Sequence, residues 1–244
     1  MARAEPRTAI VTGAARRVGA QIARALVADG WTVLAHVRDP GDRVPEGAVR
    51  VAADLADPEA AETIFEAVAS LPPVRLLVNN AARFAWDGAG QLDPAEFDRH
   101  LAVNARAPGL LMDRLAEQHG EGDACVVNLL DSKISAPNSD YLSYTVSKHA
   151  LAALTDLYAR ALAGRGIRVN AIAPALMLRS SGQSEENYRA MHSYNPLGRG
   201  VEPGDIIAAI RYLADARSVT GQTIVIDGGQ RFMALPRDVQ FLER

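Results

Sequence analysis

The sequence predicts an α/β fold: a doubly wound, mostly parallel seven-stranded sheet with helices on both faces, in one domain spanning residues 1–244. Three observations predict it. Seven short, β-rich apolar runs alternate with longer segments of helical period. The runs are apolar nearly throughout rather than at every second residue, the pattern of strands covered on both faces. No repeat, low-complexity linker or shift in composition divides the 244 residues, a length that open α/β sheets reach as a single unit.

The first run, Thr8 to Thr12, passes through a glycine-containing turn into a helix. There Ile22, Leu26 and Val27 recur at helical spacing, and Gly30 stands where a helix stops at C′. Runs from Thr32 to Val37 and from Ala48 to Ala53 follow. Asp57-Pro58 reads as a helix start, with the aspartate as N-cap and the proline at the first helical position. After the run Arg75 to Asn79, Asp93-Pro94 repeats that signature ahead of a helix carrying Phe97, Leu101 and Leu111. The run Ala124 to Leu130 precedes a helix from Tyr141 to Ala163, ended by Gly164. Runs Ile167 to Ile172 and Thr223 to Asp227 complete the sheet. In such a sheet, ligands bind beyond the carboxyl ends of the strands, where strand order reverses.

With 48% hydrophobic and 23% charged residues, the composition is that of a globular protein. A formal charge of -3 supplies no basic footprint, so nucleic acid is not an expected partner. Cys125 is the only cysteine, which excludes an internal disulfide. Its setting, Ala124-Cys125-Val126-Val127, marks a core thiol. The histidines, His36, His100, His119, His149 and His192, show no metal-ligand spacing, and no metal is expected. The segment Met1 to Arg7 lacks the apolar stretch of a signal peptide, and no apolar run approaches the ~18 residues of a membrane span. The expected location is therefore the cytoplasm.

Two motifs carry chemistry. Thr12-Gly13-Ala14-Ala15-Arg16-Arg17-Val18-Gly19 joins the first strand to its helix. Glycines there let the backbone approach a pyrophosphate at the positive helix end, although a strand-to-helix turn also wants glycine for conformation alone. Tyr144 and Lys148 lie four apart on a predicted helix and so share a face. A lysine ammonium nearby favours the phenolate, which is expected to lower the tyrosine's pKa and let the pair relay a proton while a nicotinamide transfers hydride. An exposed pair on an amphipathic helix is the plainer reading of those two residues by themselves. Tyr141 is set aside, because Thr145 stands where its lysine would be.

These motifs, with Asp54, Asn79-Asn80-Ala81, Asn104 and Asn170-Ala-Ile-Ala-Pro174 in order, resemble the short-chain dehydrogenase/reductase family over nearly the whole chain. The resemblance implies a Rossmann-like fold and a cofactor site drawn from Gly13, Arg16, Arg17, Val18, Gly19, Arg38, Asp54, Leu55, Asn80, Ala81, Tyr144, Lys148 and Pro174. It further implies that Asp54 contacts adenine, that Lys148 holds the nicotinamide ribose hydroxyls, and that Asn104 anchors a water of the proton relay. Ala175 replaces the glycine that usually follows the proline. The second strand ends at His36-Val37-Arg38-Asp39. An arginine there forks a ribose 2′-phosphate, so NADPH is the expected cofactor, with Arg16 as a second phosphate partner. Asp39 argues the other way, by pairing with Arg38 or accepting from a bare ribose.

Departures from the family point to the substrate. Asp131 stands thirteen positions before Tyr144, where most members carry a serine that bonds a substrate carbonyl. An ionised carboxylate only accepts hydrogen bonds, so it suits a substrate with ring N–H or amino donors. Ser132 is adjacent, but neighbours in an extended segment face opposite sides. Arg17 replaces the usual second glycine of the turn, and Phe84 offers a face to a flat heterocycle. Each has a plain counterpart: a surface charge, a core or lid ring, a cap. Together these residues resemble the pteridine reductases and the related bacterial dihydromonapterin reductases, except that Ala82 stands where those often have serine. That resemblance implies catalytic roles for Tyr144, Lys148, Asp131 and Asn104, and a substrate site formed by Arg17, Phe84, Asp131, Tyr144 and Leu176.

Residues 175–200 form the longest stretch without a sheet assignment and read as a substrate loop, with Met177, Leu178, Met191, His192 and Tyr194 as candidate lining. The tail, residues 230–244, carries Phe232, Met233, Leu235, Phe241 and Leu242, too apolar to hang free. It is expected to pack on another subunit of a homotetramer. The expected activity is NADPH-dependent reduction of a pterin at a carbon–nitrogen bond. The alternatives are a carbonyl or 3-oxoacyl reductase of the same fold, or a non-catalytic NADP(H)-sensing regulator.

Overall fold

In a computed structural model, which describes residues 5–180 and 182–242, β1 (Thr8–Val11) is buried end to end. Its residues alternate between two layers. Ala9 and Val11 join the apolar cluster that holds Ile22 and Leu26 of α1 (Arg17–Ala28), whereas Ile10 joins the one that holds Phe65, Leu77 and Leu111. Strands buried on both faces must be apolar at every position, which is why these runs lack alternation. With β2 (Thr32–Val37), β3 (Ala48–Ala52), β4 (Val74–Asn79), β5 (Ala124–Leu129), β6 (Ile167–Pro174) and β7 (Thr223–Ile226), the order is β3-β2-β1-β4-β5-β6-β7. Every pairing is parallel, where the sequence expectation was mostly parallel. Strand order reverses between β1 and β4, which locates the crevice at the carboxyl ends of these strands.

Local signals set most helix bounds. α1 ends where Gly30, at φ +84°, donates to Val27 O and Trp31 donates to Leu26 O. Asp93 caps α3 (Pro94–Leu101), accepting from the N–H groups of Ala95 and Glu96. Three expectations change. Asp57 does not cap α2 (Ala60–Ala67); it accepts from Glu59 N two residues on, so the first turn there is an aspartate turn and the helix starts later. The helix predicted through Phe97, Leu101 and Leu111 is interrupted by a π-turn at Ala102–Arg106 before α4 (Ala107–Gln118). α5 (Leu142–Leu162) runs into a 3-10 turn and stops at Gly166, whose φ of +73° takes the left-handed role assigned to Gly164.

The loop after β6 contains α6 (Glu185–His192), capped by Ser184, and α7 (Pro203–Asp215) follows. No helix among the described residues is long and apolar enough to cross a membrane. Nor does any cluster of three or more His, Cys, Asp or Glu among them suit a metal ion.

Candidate active site

A cleft of about 1220 Å³ opens at the carboxyl ends of β1, β4 and β5 and collects residues from nearly every part of the chain. At one end lies the glycine turn. A Cβ on Gly19 would sit 2.2 Å from Gly13 O and 2.5 Å from Asn80 Nδ2, so only glycine lets the turn close this tightly. Asn80 holds it from the neighbouring strand, donating to Thr12 O (2.8 Å) and Gly13 O (3.3 Å), while Thr12 Oγ1 accepts from the N–H groups of Asn80 and Ala81 (3.0 Å each). The first-turn N–H groups of a helix have no partner within it. The start of α1, with Gly13, Arg16, Arg17, Val18 and Gly19, therefore gives the cleft a positive, close-approach end that fits a dinucleotide pyrophosphate.

His36 braces this end, a role the sequence did not disclose. Its Nδ1 accepts from Gly13 N at 3.2 Å, which leaves the ring hydrogen on Nε2 to donate to Ala53 O at 2.9 Å. Burial pushes its pKa down, in keeping with a neutral ring. Two residues on, Arg38 borders the cleft and pairs with Asp39 at 3.3 Å. Both side chains are more than half exposed, a setting in which an ion pair contributes little and leaves Arg38 available to a phosphate. Asp54 and Leu55 line the same end, as do Asn80 and Ala81. Asn79 does not; it points into the sheet and donates to Asn128 Oδ1 at 2.8 Å.

The other end holds the reactive groups. Tyr144 O–H donates to Asp131 Oδ2 at 3.0 Å, and Asp131 Oδ1 accepts from Lys133 N at 2.9 Å. Asp131 thus serves both as cap of the 3-10 turn Ser132–Ile134 and as partner of the phenol. That turn breaks the extended alternation, so Ser132 borders the cleft beside Asp131 instead of facing away. Lys148 is 2% exposed, lies 5.6 Å from the Tyr144 ring centre and donates to Leu129 O at 2.6 Å. Burial pushes Lys148 down to about 8, against the pull of Asp131.

The expectation that Lys148 lowers the Tyr144 pKa is overturned. Burial, followed by the charge of Asp131 and its hydrogen bond, holds the phenol well above its ordinary value. Burial also raises the Asp131 carboxyl, opposed by Lys133. Tyr144 is therefore set to keep its proton at neutral pH, and Asp131 is a weaker acid than an exposed aspartate.

The presentation of Tyr144 depends on a residue that sequence reading missed. Tyr141, immediately before α5, has a left-handed backbone (φ +57°) and gives no cap. Asp87, buried and 56 positions away, accepts from Ser143 N at 3.0 Å and from its hydroxyl, supplying the missing anion at the helix start. Asn104, on the π-turn, is fully buried. Its side chain bonds the backbone of Arg83 (2.7 and 2.9 Å) and Ser147 Oγ (2.9 Å). Its side chain thus ties the segment at Arg83, next to Phe84, to α5 at Ser147, one turn after Tyr144.

Phe84 stacks on Tyr141 with centroids 4.3 Å apart and meets Tyr144 edge-on at 4.7 Å. It remains 43% exposed and lines the cleft. Arg17 adopts φ +54°, the conformation for which most relatives by resemblance keep glycine, and its guanidinium donates to Arg179 O (3.0 Å) and Leu178 O (3.4 Å). Pro174, Leu176, Met177 and Leu178 border the cleft. Met191, His192 and Tyr194 do not: Met191 is the buried residue of α6 itself, and His192 stacks on Tyr188. The tail, expected to pack on another subunit, also has partners within its own chain. Asp140, Lys133 and Tyr141 of the same chain engage residues 237–240 because their buried charges and hydroxyl need partners. Phe232 stays 74% exposed.

This geometry agrees with the chain's relatives. The profile of the family described as enoyl-(acyl carrier protein) reductase matches residues 13–231. The chain is 30% identical over 240 residues to a dihydromonapterin reductase of Klebsiella pneumoniae, covering 94% of this chain and 99% of that protein. It is 33% identical to the L-xylulose reductase of Bos taurus, over 91% of this chain and 96% of that one. Among solved structures, FolM alternative dihydrofolate reductase 1 from Brucella canis, complexed with NADP, superposes with a TM-score of 0.85 at 38% identity, over 92% of this chain and 94% of the other. The chain belongs to the short-chain dehydrogenase/reductase family and is one of its NAD(P)-dependent oxidoreductases.

Proposed function

We propose that the protein uses NADPH to reduce a pterin ring, of the dihydromonapterin, dihydrobiopterin, biopterin or dihydrofolate kind. The observation that carries this reading is the 3.0 Å bond between Tyr144 O–H and Asp131 Oδ2, where most of the family is expected to place a serine hydroxyl. A carboxylate at that position accepts from ring N–H and amino groups and repels a carbonyl oxygen. Phe84 supplies an aromatic surface beside it, and Arg17 a cation at the rim. The likeness to a dihydromonapterin reductase and to an alternative dihydrofolate reductase supports the same reading.

The glycine turn and α1 would hold the pyrophosphate, Arg38 and Arg16 a 2′-phosphate, Asp54 and Leu55 the adenine end, and Lys148 the nicotinamide ribose. Bound there, NADPH supplies the hydride. The residues do the rest. Tyr144 stays protonated at neutral pH because burial and Asp131 keep its pKa high. In the protonated form of Asp131, which burial favours, the carboxyl passes its proton to Tyr144 as Tyr144 releases its own to the ring nitrogen beside the carbon being reduced, so the negative charge ends on a carboxylate rather than a buried phenolate. Lys148, held by Leu129 O, keeps one positive charge beneath the pair. Leu176, Pro174 and Phe84 keep water from the ring.

A carbonyl reductase is the second reading. Ser132 favours it, since the 3-10 turn brings that residue to the cleft, as does the likeness to L-xylulose reductase. The experiment is NADPH consumption with dihydropterins, biopterin and dihydrofolate set beside a panel of ketones, in wild type and Asp131→Ser. Pterin turnover in wild type that shifts towards ketones in the variant supports the proposal. Ketone turnover alone in wild type refutes it. A homotetramer in the cytoplasm is proposed with it, checked by the mass of the protein in solution.

A further inference from the structure

Beyond the 3-10 turn Gln230–Met233, Leu235, Arg237, Asp238 and Val239 line the cleft. Arg237 forks Asp140 (2.7 and 2.8 Å), and Asp238 N donates to the same carboxylate at 2.8 Å. Asp238 Oδ2 lies 2.7 Å from Lys133 Nζ, which also donates to Asn138 Oδ1 and Asp140 O. Tyr141 O–H donates to Gln240 Oε1 at 2.6 Å, and the Phe241 ring lies 6.1 Å from that of Tyr141.

These are not ornamental surface pairs. The side chains of Asp140, Lys133 and Asp238 are 6%, 9% and 13% exposed, and breaking an enclosed pair is far more disruptive than losing an open one. They also converge on the reactive centre. Lys133 binds Asp131 through its own N–H and the tail through its ammonium. Tyr141 carries Phe84 on one side and the tail on the other. Leu235, Arg237, Asp238 and Val239 border the same cleft as Tyr144 and Asp131.

We propose that residues 235–241 form a clasp with which each chain completes its own substrate site, a specificity-determining wall opposite Phe84 and Tyr144. The inference rests on the cleft being a reductase site, but not on the substrate being a pterin. The clasp is held by charges and one stacked ring, at the end of the cleft away from the glycine turn. Its release should therefore loosen substrate binding and leave the cofactor in place.

The test compares wild type with a chain ended after Ala234, with Arg237→Ala and with Arg237→Lys. For whichever pterin or ketone is turned over, KM should rise by about tenfold or more in the truncated chain while NADPH affinity stays within about twofold. Arg237→Ala should move the same way and Arg237→Lys should recover part of the loss, which also covers a truncated chain that fails to fold. Acrylamide should quench bound NADPH fluorescence more readily in the first two variants, a readout that needs no substrate. Unchanged KM and quenching would overturn the clasp, as would equal losses of NADPH and substrate affinity. So would recovery of substrate affinity on mixing truncated chains with full-length Tyr144→Phe, since that places the tail in a neighbour's site. Absence of all turnover in wild type would instead overturn the reductase reading and leave the quenching to judge the clasp.

Discussion

Replacing Asp131 with asparagine keeps the size of the side chain and removes its charge, which isolates the account's least familiar element. A Tyr144 phenolate and an ionised Asp131 would place two negative charges about 3.0 Å apart. At an effective dielectric constant of about 20, Coulomb's law puts their repulsion at up to about 5.5 kcal/mol, or about 4 pH units. Asp131→Asn should therefore let Tyr144 ionise at lower pH, which a phenolate difference spectrum taken against Tyr144→Phe would read. Reduction consumes a proton, so the wild-type rate should fall as pH rises through the raised Asp131 value. In Asp131→Asn that limb should give way to one set by Tyr144, because the proton must then come from Tyr144 alone. The rate at neutral pH should drop by about 10²- to 10⁴-fold, the usual share of a positioned acid. An unchanged pH profile with an unchanged rate would refute the reasoning.

Tyr144→Phe should abolish NADPH oxidation while leaving NADPH affinity within about twofold, as checked by fluorescence titration, because the phenol supplies the proton and not the cofactor's phosphate contacts. Arg38→Ala should weaken NADPH binding by about ten- to a hundredfold, the worth of one charge-assisted bond, and leave NADH unaffected; equal effects on both cofactors would remove the 2′-phosphate role. Gly19→Ala should prevent cofactor binding, since the added Cβ meets Gly13 O at 2.2 Å; calorimetric titration with NADPH reads it directly.

The sheet was legible because each strand is buried on both faces and so is written as a nearly unbroken apolar run. β6 exceeded its predicted end by two residues because Ala173 and Pro174 still pair with β7. Helix starts were legible from local caps, as at Asp93, and α5 was placed within one residue of its observed start; what the sequence did not reveal is the anion at that start, Asp87, which comes from across the fold. The π-turn at Ala102–Arg106 was not foreseen either. At the site, motif order was enough to gather Tyr144, Lys148, Asp131, Phe84 and the glycine turn in one cleft. What sequence spacing could not show was the sign of the Tyr144 shift, which depends on the partner that its oxygen meets. Nor could composition show which residues of its own chain the tail meets: Arg237, Asp238 and Gln240 pair with Asp140, Lys133 and Tyr141.

The proposed transfer of hydride to a pterin ring, with the proton delivered by Tyr144 and Asp131, is open to one direct test. NADPH deuterated at the nicotinamide carbon that gives up the hydride tests it most directly, with a dihydropterin and a ketone offered together. Deuterium is expected on a ring carbon of the tetrahydropterin, and its loss in Tyr144→Phe. Deuterium found only on the carbinol carbon of the reduced ketone would contradict it.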